Sequence, residues 1–229
     1  MKFLIVNADD LGMTAGINAG IIEAHRRGVV TSASLMVKQP AAEEASRLAA
    51  ANPGLGLGLH VDLVEWELGQ NLYARADVGD QVAVAKEIEA QRALFVGLVG
   101  REPDHLDSHQ HAHFNEPVRT EALSLATRLG VPLRNLDPRI AFCGDFYGQE
   151  RDQPAPERIS LAHLLHLVEE MPDGWTELMC HPGRAHDVRS VYGREREAEL
   201  KVLCDPSLRQ EIQLRGAALR AFTDFRSGG

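Results

Sequence analysis

Residues 3–12 read Phe3-Leu4-Ile5-Val6-Asn7-Ala8-Asp9-Asp10-Leu11-Gly12. The short apolar run from Phe3 to Asn7 predicts a buried strand, and two acids stand at its carboxyl end. Ala15 to Arg27 follows with Ile17, Ile21, Ile22 and His25 at helical spacing, and Gly28 stops it. A buried strand, a polar strand end and a helix make the first half of a βαβ unit.

The unit recurs along the chain. Strands are expected at Thr31 to Val37, Leu55 to Val61, His105 to Ser108, Val131 to Arg134, Thr176 to Cys180 and Ala218 to Phe222. Helices are expected at Pro40 to Ala51, Val82 to Leu98, Glu116 to Leu129, Ile159 to Glu170, Arg194 to Leu203 and Ser207 to Leu214. Asp62 to Gln81 and Asn135 to Glu157 are long polar or irregular connections, and the tail Arg226 to Gly229 is expected to fray. Strands alternating with helices imply parallel pairing in an α/β fold. About seven such units predict a (β/α) barrel variant short of the full eightfold barrel. With no repeat and no linker in its 229 residues, the chain is expected to form one domain, 1–229.

Composition narrows the function classes. Hydrophobic residues make up 44% and charged residues 25%, ordinary values for a globular protein. The net charge, 24 minus 33 or −9, opposes non-specific binding to nucleic acid and to anionic membranes. The densest basic region, Arg189 to Arg196, is interrupted by Glu195. The amino-terminal apolar run is too short for a signal peptide, and no segment has the roughly 20 apolar residues of a membrane span, so a cytoplasmic location is the expectation. Three widely spaced cysteines without a Cys-x-x-Cys pair suit a reducing compartment, and Cys180 is expected to be buried and inert.

Chemistry-bearing residues collect at the carboxyl ends of the expected strands. Asp9 and Asp10 follow the first, His60 closes the third, Asp107 to His113 (Asp-Ser-His-Gln-His-Ala-His) closes the fourth, Arg134 the next, and His181 the one after. In barrels and open parallel sheets those ends share one face, where sites are built. His109, His111 and His113 fall at alternate positions, so on an extended strand they would point one way. Imidazoles beside carboxylates form an open ligand set for a divalent cation, which polarises a carbonyl and acidifies water. Each residue also has a plain reading: Asp9-Asp10 can cap a helix, a lone rim histidine is often structural, and Arg134 can form a surface ion pair. A rim imidazole at His181 suits proton transfer near neutral pH. No Gly-x-Ser-x-Gly elbow, Walker loop or dinucleotide fingerprint competes, and the Gly54, Gly56 and Gly58 run enters a strand instead of opening a helix.

Taken together the motifs resemble the YdjC (ChbG-like) carbohydrate deacetylases. The matching stretches are residues 5–12, Gly58-Leu59-His60, residues 105–113, Phe146-Tyr147-Gly148, residues 177–183 and residues 203–208, in the expected order across nearly the whole chain. The resemblance implies a distorted barrel like that of the polysaccharide deacetylases, one divalent metal ion such as Mg2+ or Zn2+, and an acetylated amino sugar as substrate. It implies Asp10, His60 and His109 as ligands, Asp9 as base and His181 as acid. His111 and His113 would then orient ligands or face substrate, and relatives suggest a homodimer. Arg134 is expected to hold Asp9 or a substrate oxygen. Trp66, Phe146 and Tyr147 are candidates to stack on a sugar. The chain departs from the family at Val61 to Leu68, an acidic stretch bearing Trp66. Two rivals stand beside this reading: a metallohydrolase of another amide or ester in the same fold, and a non-catalytic sugar- or metal-binding protein.

Overall fold

A computed structural model describes residues 1–150, 153–188 and 190–227. The first half comprises β1 (Lys2–Leu11), α1 (Ala15–Arg27), β2 (Ser32–Leu35), α2 (Ala42–Ala50), β3 (Gly56–Val61), the hairpin β4 (Val64–Glu67) and β5 (Gln70–Ala74), and α3 (Gln81–Val99). Then come β6 (Leu106–Ser108), a 3-10 turn His109–Phe114, α4 (Val118–Leu129), β7 (Ile140–Cys143), and the hairpin β8 (Gln149–Glu150) and β9 (Gln153–Pro154). The chain continues with α5 (Leu161–Glu170), β10 (Gly174–Cys180), α6 (Gly193–Leu203), α7 (Leu208–Leu214), β11 (Ala217–Leu219) and α8 (Phe222–Ser227). None of the described helices is long and apolar enough to cross a membrane.

Seven strands form one parallel sheet in the order β6-β3-β2-β1-β10-β7, with β11 pairing the start of β1. This is the expected barrel variant, curled into a half-barrel. Helices cover the outer face. Leu4, Val6, Ala8, Leu57, Leu59, Leu178 and Cys180 point outward into a continuous apolar core with Ile17, Ile21 and Ala24 of α1. α1 starts where Thr14 caps it, its hydroxyl accepting the Ile17 N–H at 3.1 Å, a contact that stabilises by ~1 kcal/mol. The alternate residues of the strands face inward. Ile5 meets Ile140 and Phe222, so α8 plugs the amino-terminal end of the sheet. Above that plug the interior is polar, not the apolar layers of a closed barrel.

Several expectations need correction. Val131 to Arg134 is not a full strand: it makes a single bridge, Leu133 to Leu106. Pro132 has a carbonyl for the Leu106 N–H but no N–H of its own. The seventh strand is instead β7, four residues inside the stretch expected to be irregular, and it pairs β10. The other polar connection carries the β4–β5 hairpin. His109 to His113 do not lie on a strand: they form the 3-10 turn, with Gln110 and His111 at φ of 51° and 53°. The expectation that their side chains point one way is therefore overturned. Arg189, Gly228 and Gly229, which figured in the basic cluster and the fraying tail, lie outside the described residues; Arg226 and Ser227 belong to α8.

Candidate metal and catalytic centre

Strand alternation puts Asn7 and Asp9 on the inner face of β1, and Asp10 should then face out. It does not. Asp10 has φ 66°, and the pairing of β1 with β2 shifts register between Ala8 and Leu11. Such a bulge re-aims a side chain, and here it turns both acids toward the same cleft. Asp tolerates the left-handed region better than most residues. His60 stands beside Asp107 in the β3–β6 register, and the 3-10 turn carries His109 back over the end of β1.

Asp10, His60 and His109 place one ligand atom each within 4.8 Å of one another, all three residues buried. Asp10 Oδ1 lies 3.4 Å from His60 Nε2 and 3.2 Å from His109 Nδ1. That oxygen has no hydrogen-bond partner, and neither does His109 Nε2. The His60 Nδ1 faces Asp107 Oδ1 at 2.7 Å, which aims Nε2 at Asp10, the usual way a ligating imidazole is oriented. His109 Nε2 is the other ring nitrogen and faces Glu65 at 4.0 Å. An unpaired buried acceptor is costly, so the orphan Asp10 oxygen fits a cation. The surrounding charge fits it too. Four carboxylates (Asp9, Asp10, Asp107, Glu177) face two guanidinium groups (Arg134, Arg196), an excess of two negative charges. Burial would lower the His60 pKa, but the Asp107 carboxylate bonded to it and the Asp10 carboxylate beside it outweigh that and hold it well above the ordinary value. The site thus attracts positive charge even on its imidazole.

Asp9 is held from the other side. Arg134 Nη1 and Nη2 donate to its two oxygens at 2.6 and 2.7 Å, and Nε donates to Glu177 at 2.8 Å. Burial raises the Asp9 pKa; the Arg134 charge and hydrogen bonds more than reverse that and keep it below the usual range. Arg134 is buried, and its guanidinium is shared by Asp9, Asp107 and Glu177. Asp10 has its own cation: Arg196 of α6 donates to Oδ2 at 2.6 Å. Burial pushes the Asp10 carboxyl up, and Arg196 with the two imidazoles drives it well down. His181 closes the constellation, its Nε2 3.8 Å from Asp9 Oδ2. Burial lowers its pKa to about 4 against the pull of Asp9 and Asp10.

The remaining candidates separate. Asp9, Asp10, His60, His109, His111 and His181 line one cleft of about 430 Å³, as do Trp66 and Tyr147. Trp66 is 52% exposed at its mouth. Its N–H donates to Gln110 Oε1 at 3.0 Å and its carbonyl accepts from Gln110 Nε2 at 2.7 Å, so the β4–β5 hairpin is tied to the turn that carries His109. His111 stacks on Phe114 at 4.9 Å. His113 points away from the cleft. Its Nδ1 meets the Ser108 hydroxyl at 2.5 Å and its Nε2 meets the Arg134 carbonyl at 3.2 Å, so it braces the turn. Phe146 is a correction: it is fully buried in the core and cannot stack on a ligand. Sequence reasoning missed Arg196 and Glu199. Their signal was present, because both fall on the face of α6 that buries Leu200 and Leu203, but charges on a charge-rich helix read as solvated.

Comparison with known proteins agrees with this architecture. A family model described as YdjC-like protein matches residues 3–214. The chain is 35% identical to a chitooligosaccharide deacetylase of Serratia marcescens over 257 aligned residues, covering 98% of this chain and 99% of the relative. It is 36% identical to a carbohydrate deacetylase of Geobacillus stearothermophilus, covering 98% of each. Among solved structures, a putative cellobiose-phosphate cleavage protein of Enterococcus faecalis V583 superposes with TM-score 0.80 at 27% identity over 98% of each chain. A family 4 carbohydrate esterase of Streptomyces lividans in complex with acetate has TM-score 0.58 at 15% identity, covering 95% of this chain and 91% of that one, and shares the fold. With a family match over nearly its whole length and relatives this similar end to end, the chain belongs to the YdjC-like protein family.

Proposed function

We propose that this protein is a metal-dependent deacetylase that removes acetyl from an N-acetylated amino sugar or oligosaccharide. The observation that carries the reading is the convergence, in one cleft, of an open Asp10–His60–His109 ligand set with Asp9 on one side and His181 beside it. The deacetylase names of its relatives support the substrate class. Asp10, His60 and His109 would hold a divalent ion, which would supply Lewis acidity to the acetyl carbonyl and to a water molecule. Asp9, fixed by Arg134 in one orientation, accepts the proton of the attacking water. His181, its Nε2 3.8 Å from Asp9 Oδ2, carries the proton for the leaving group. Nε2 then donates it to the departing nitrogen, and an amine and acetate leave. Trp66 and Tyr147 offer flat faces to the sugar rings. The deciding experiment measures acetate release from N-acetylglucosamine oligomers with metal-stripped and metal-restored protein. Acetate that appears only after restoration supports the reading; binding without turnover under every divalent ion, or release of phosphate from a phosphorylated sugar instead, overturns it.

A further inference from the structure

Glu199 is completely buried on α6, far from any bulk water. Both of its oxygens are engaged: Oε2 accepts the His181 backbone N–H at 2.5 Å, and Oε1 accepts the Tyr192 hydroxyl at 2.5 Å. The Tyr192 oxygen in turn accepts the Gly148 N–H at 2.6 Å. The Tyr192 ring lies flat on Tyr147, centroids 4.4 Å apart and planes 3° from parallel. Both rings stand edge-on to the His181 imidazole, at 5.6 and 5.5 Å. A histidine that moves protons ordinarily has its second nitrogen oriented by a carboxylate or carbonyl. His181 Nδ1 has no hydrogen-bond partner among the described residues. Its ring is therefore held by packing against the stacked tyrosine pair and by its own main chain, and Glu199 bonds to Tyr192 of that pair and to the His181 N–H.

We propose that Glu199 is the positioning residue for His181. It grips the His181 peptide directly and, through Tyr192, sets the stacked tyrosine pair against which the imidazole packs. The requirement for a carboxyl group follows from the geometry, because each of its two oxygens meets a different partner, although burial pushes its pKa up to about 8. A glutamine has one acceptor oxygen, and its amide would face a donor or leave the Tyr192 hydroxyl proton without a place. Glu199 itself does not line the cleft; its hydrogen bonds go to the His181 peptide and to Tyr192. The activity arms of the test rest on the deacetylase reading; the spectroscopic arm does not.

The test places Glu199→Gln and Tyr192→Phe in the full chain, each with and without His181→Ala. With N-acetylglucosamine oligomers, Glu199→Gln lowers kcat about tenfold or more and leaves KM within about twofold. Calorimetry with Zn2+ alone gives an affinity like that of the parent. The His181 ring 15N signals, identified by their loss in His181→Ala, shift in Glu199→Gln. In the His181→Ala background the same change costs nothing further. Full kcat in Glu199→Gln, unshifted ring signals, or an equal loss without His181 would each overturn the proposal. If Glu199→Gln does not fold, Tyr192→Phe, which keeps the ring stack, carries the same comparison with the same outcomes. If the parent protein releases no acetate under any metal, the deacetylase reading falls while the ring signals still decide the role of Glu199.

Discussion

Asp9 and Asp10 are chemically identical neighbours with different environments. Arg134 takes both oxygens of Asp9, leaving it oriented and ionised; Arg196 takes one oxygen of Asp10 and leaves Oδ1 unpaired toward two imidazoles. Their roles separate by partner, so their substitutions separate by measurement. Asp10→Ala abolishes divalent-ion binding in calorimetry, because a ligand set of two imidazoles remains. His181→Ala keeps ion binding and lowers kcat by roughly 10²- to 10⁴-fold, the usual worth of a positioned proton donor. An ion bound equally well by Asp10→Ala would remove the ligand assignment. The presence of these acids at a strand end was legible in the sequence. The left-handed backbone at Asp10 that aims it into the cleft was not, since alternation rules assign it to the opposite face.

At the scale of elements, the glycine-alternating strand β3 shows why sequence spacing mattered. A Cβ on Gly58 would sit 2.4 Å from the His105 ring, which stacks on Phe222 at 3.9 Å and bonds Asp104. Gly58→Ala therefore forces the imidazole or β3 to move, and urea unfolding is expected to report a loss of at least ~2–3 kcal/mol; an unchanged midpoint would show that His105 relaxes freely. The β4–β5 hairpin makes the opposite contribution, adding function at little structural stake. It is fastened at one bank by Gln110 and at the other by Glu67, which accepts the Val191 N–H at 2.8 Å. Trp66 at its tip is exposed, so Trp66→Ala is expected to raise KM for oligosaccharides about 3- to 10-fold, as loss of a stacking contact does, with thermal stability unchanged. A KM shift confined to monosaccharide substrates would place Trp66 elsewhere. The hairpin hid in the sequence because its two strands, Val64–Glu67 and Gln70–Ala74, are short and sit inside a long polar stretch.

For the molecule as a whole, the polar interior ties stability to pH. His113 is fully buried, and burial lowers its pKa to about 4; His111 is lowered to about 4 for the same main reason. Both remain neutral in the fold while the unfolded chain takes up their protons below about 6.5. Their contribution is therefore complete above pH 6.5 and is lost as pH falls from 6.5 toward 4. His60 acts in the other direction: its raised pKa contributes below 6.5 and fades as pH rises through its folded value. Melting curves of metal-stripped protein are expected to fall by roughly 5–10 °C between pH 7 and pH 4.5, and His113→Gln should flatten that slope; a flat profile in the parent would contradict the buried neutral imidazoles. The sequence by itself determined the α/β class, parallel pairing of about seven strands, and the collection of Asp9, Asp10, His60, the 107–113 stretch and His181 at one rim, because hydrophobic period and chain order act locally and parallel strands must all end on the same face. Only the tertiary structure decided which histidine of the 109–113 turn meets Asp10, that Phe146 belongs to the core, that Arg134 takes both oxygens of Asp9, and that Arg196 and Glu199 hold working groups in place, because those choices are made by side chains of separate elements meeting in a buried polar interior, Arg134 with Asp9 and Arg196 with Asp10 across more than a hundred residues.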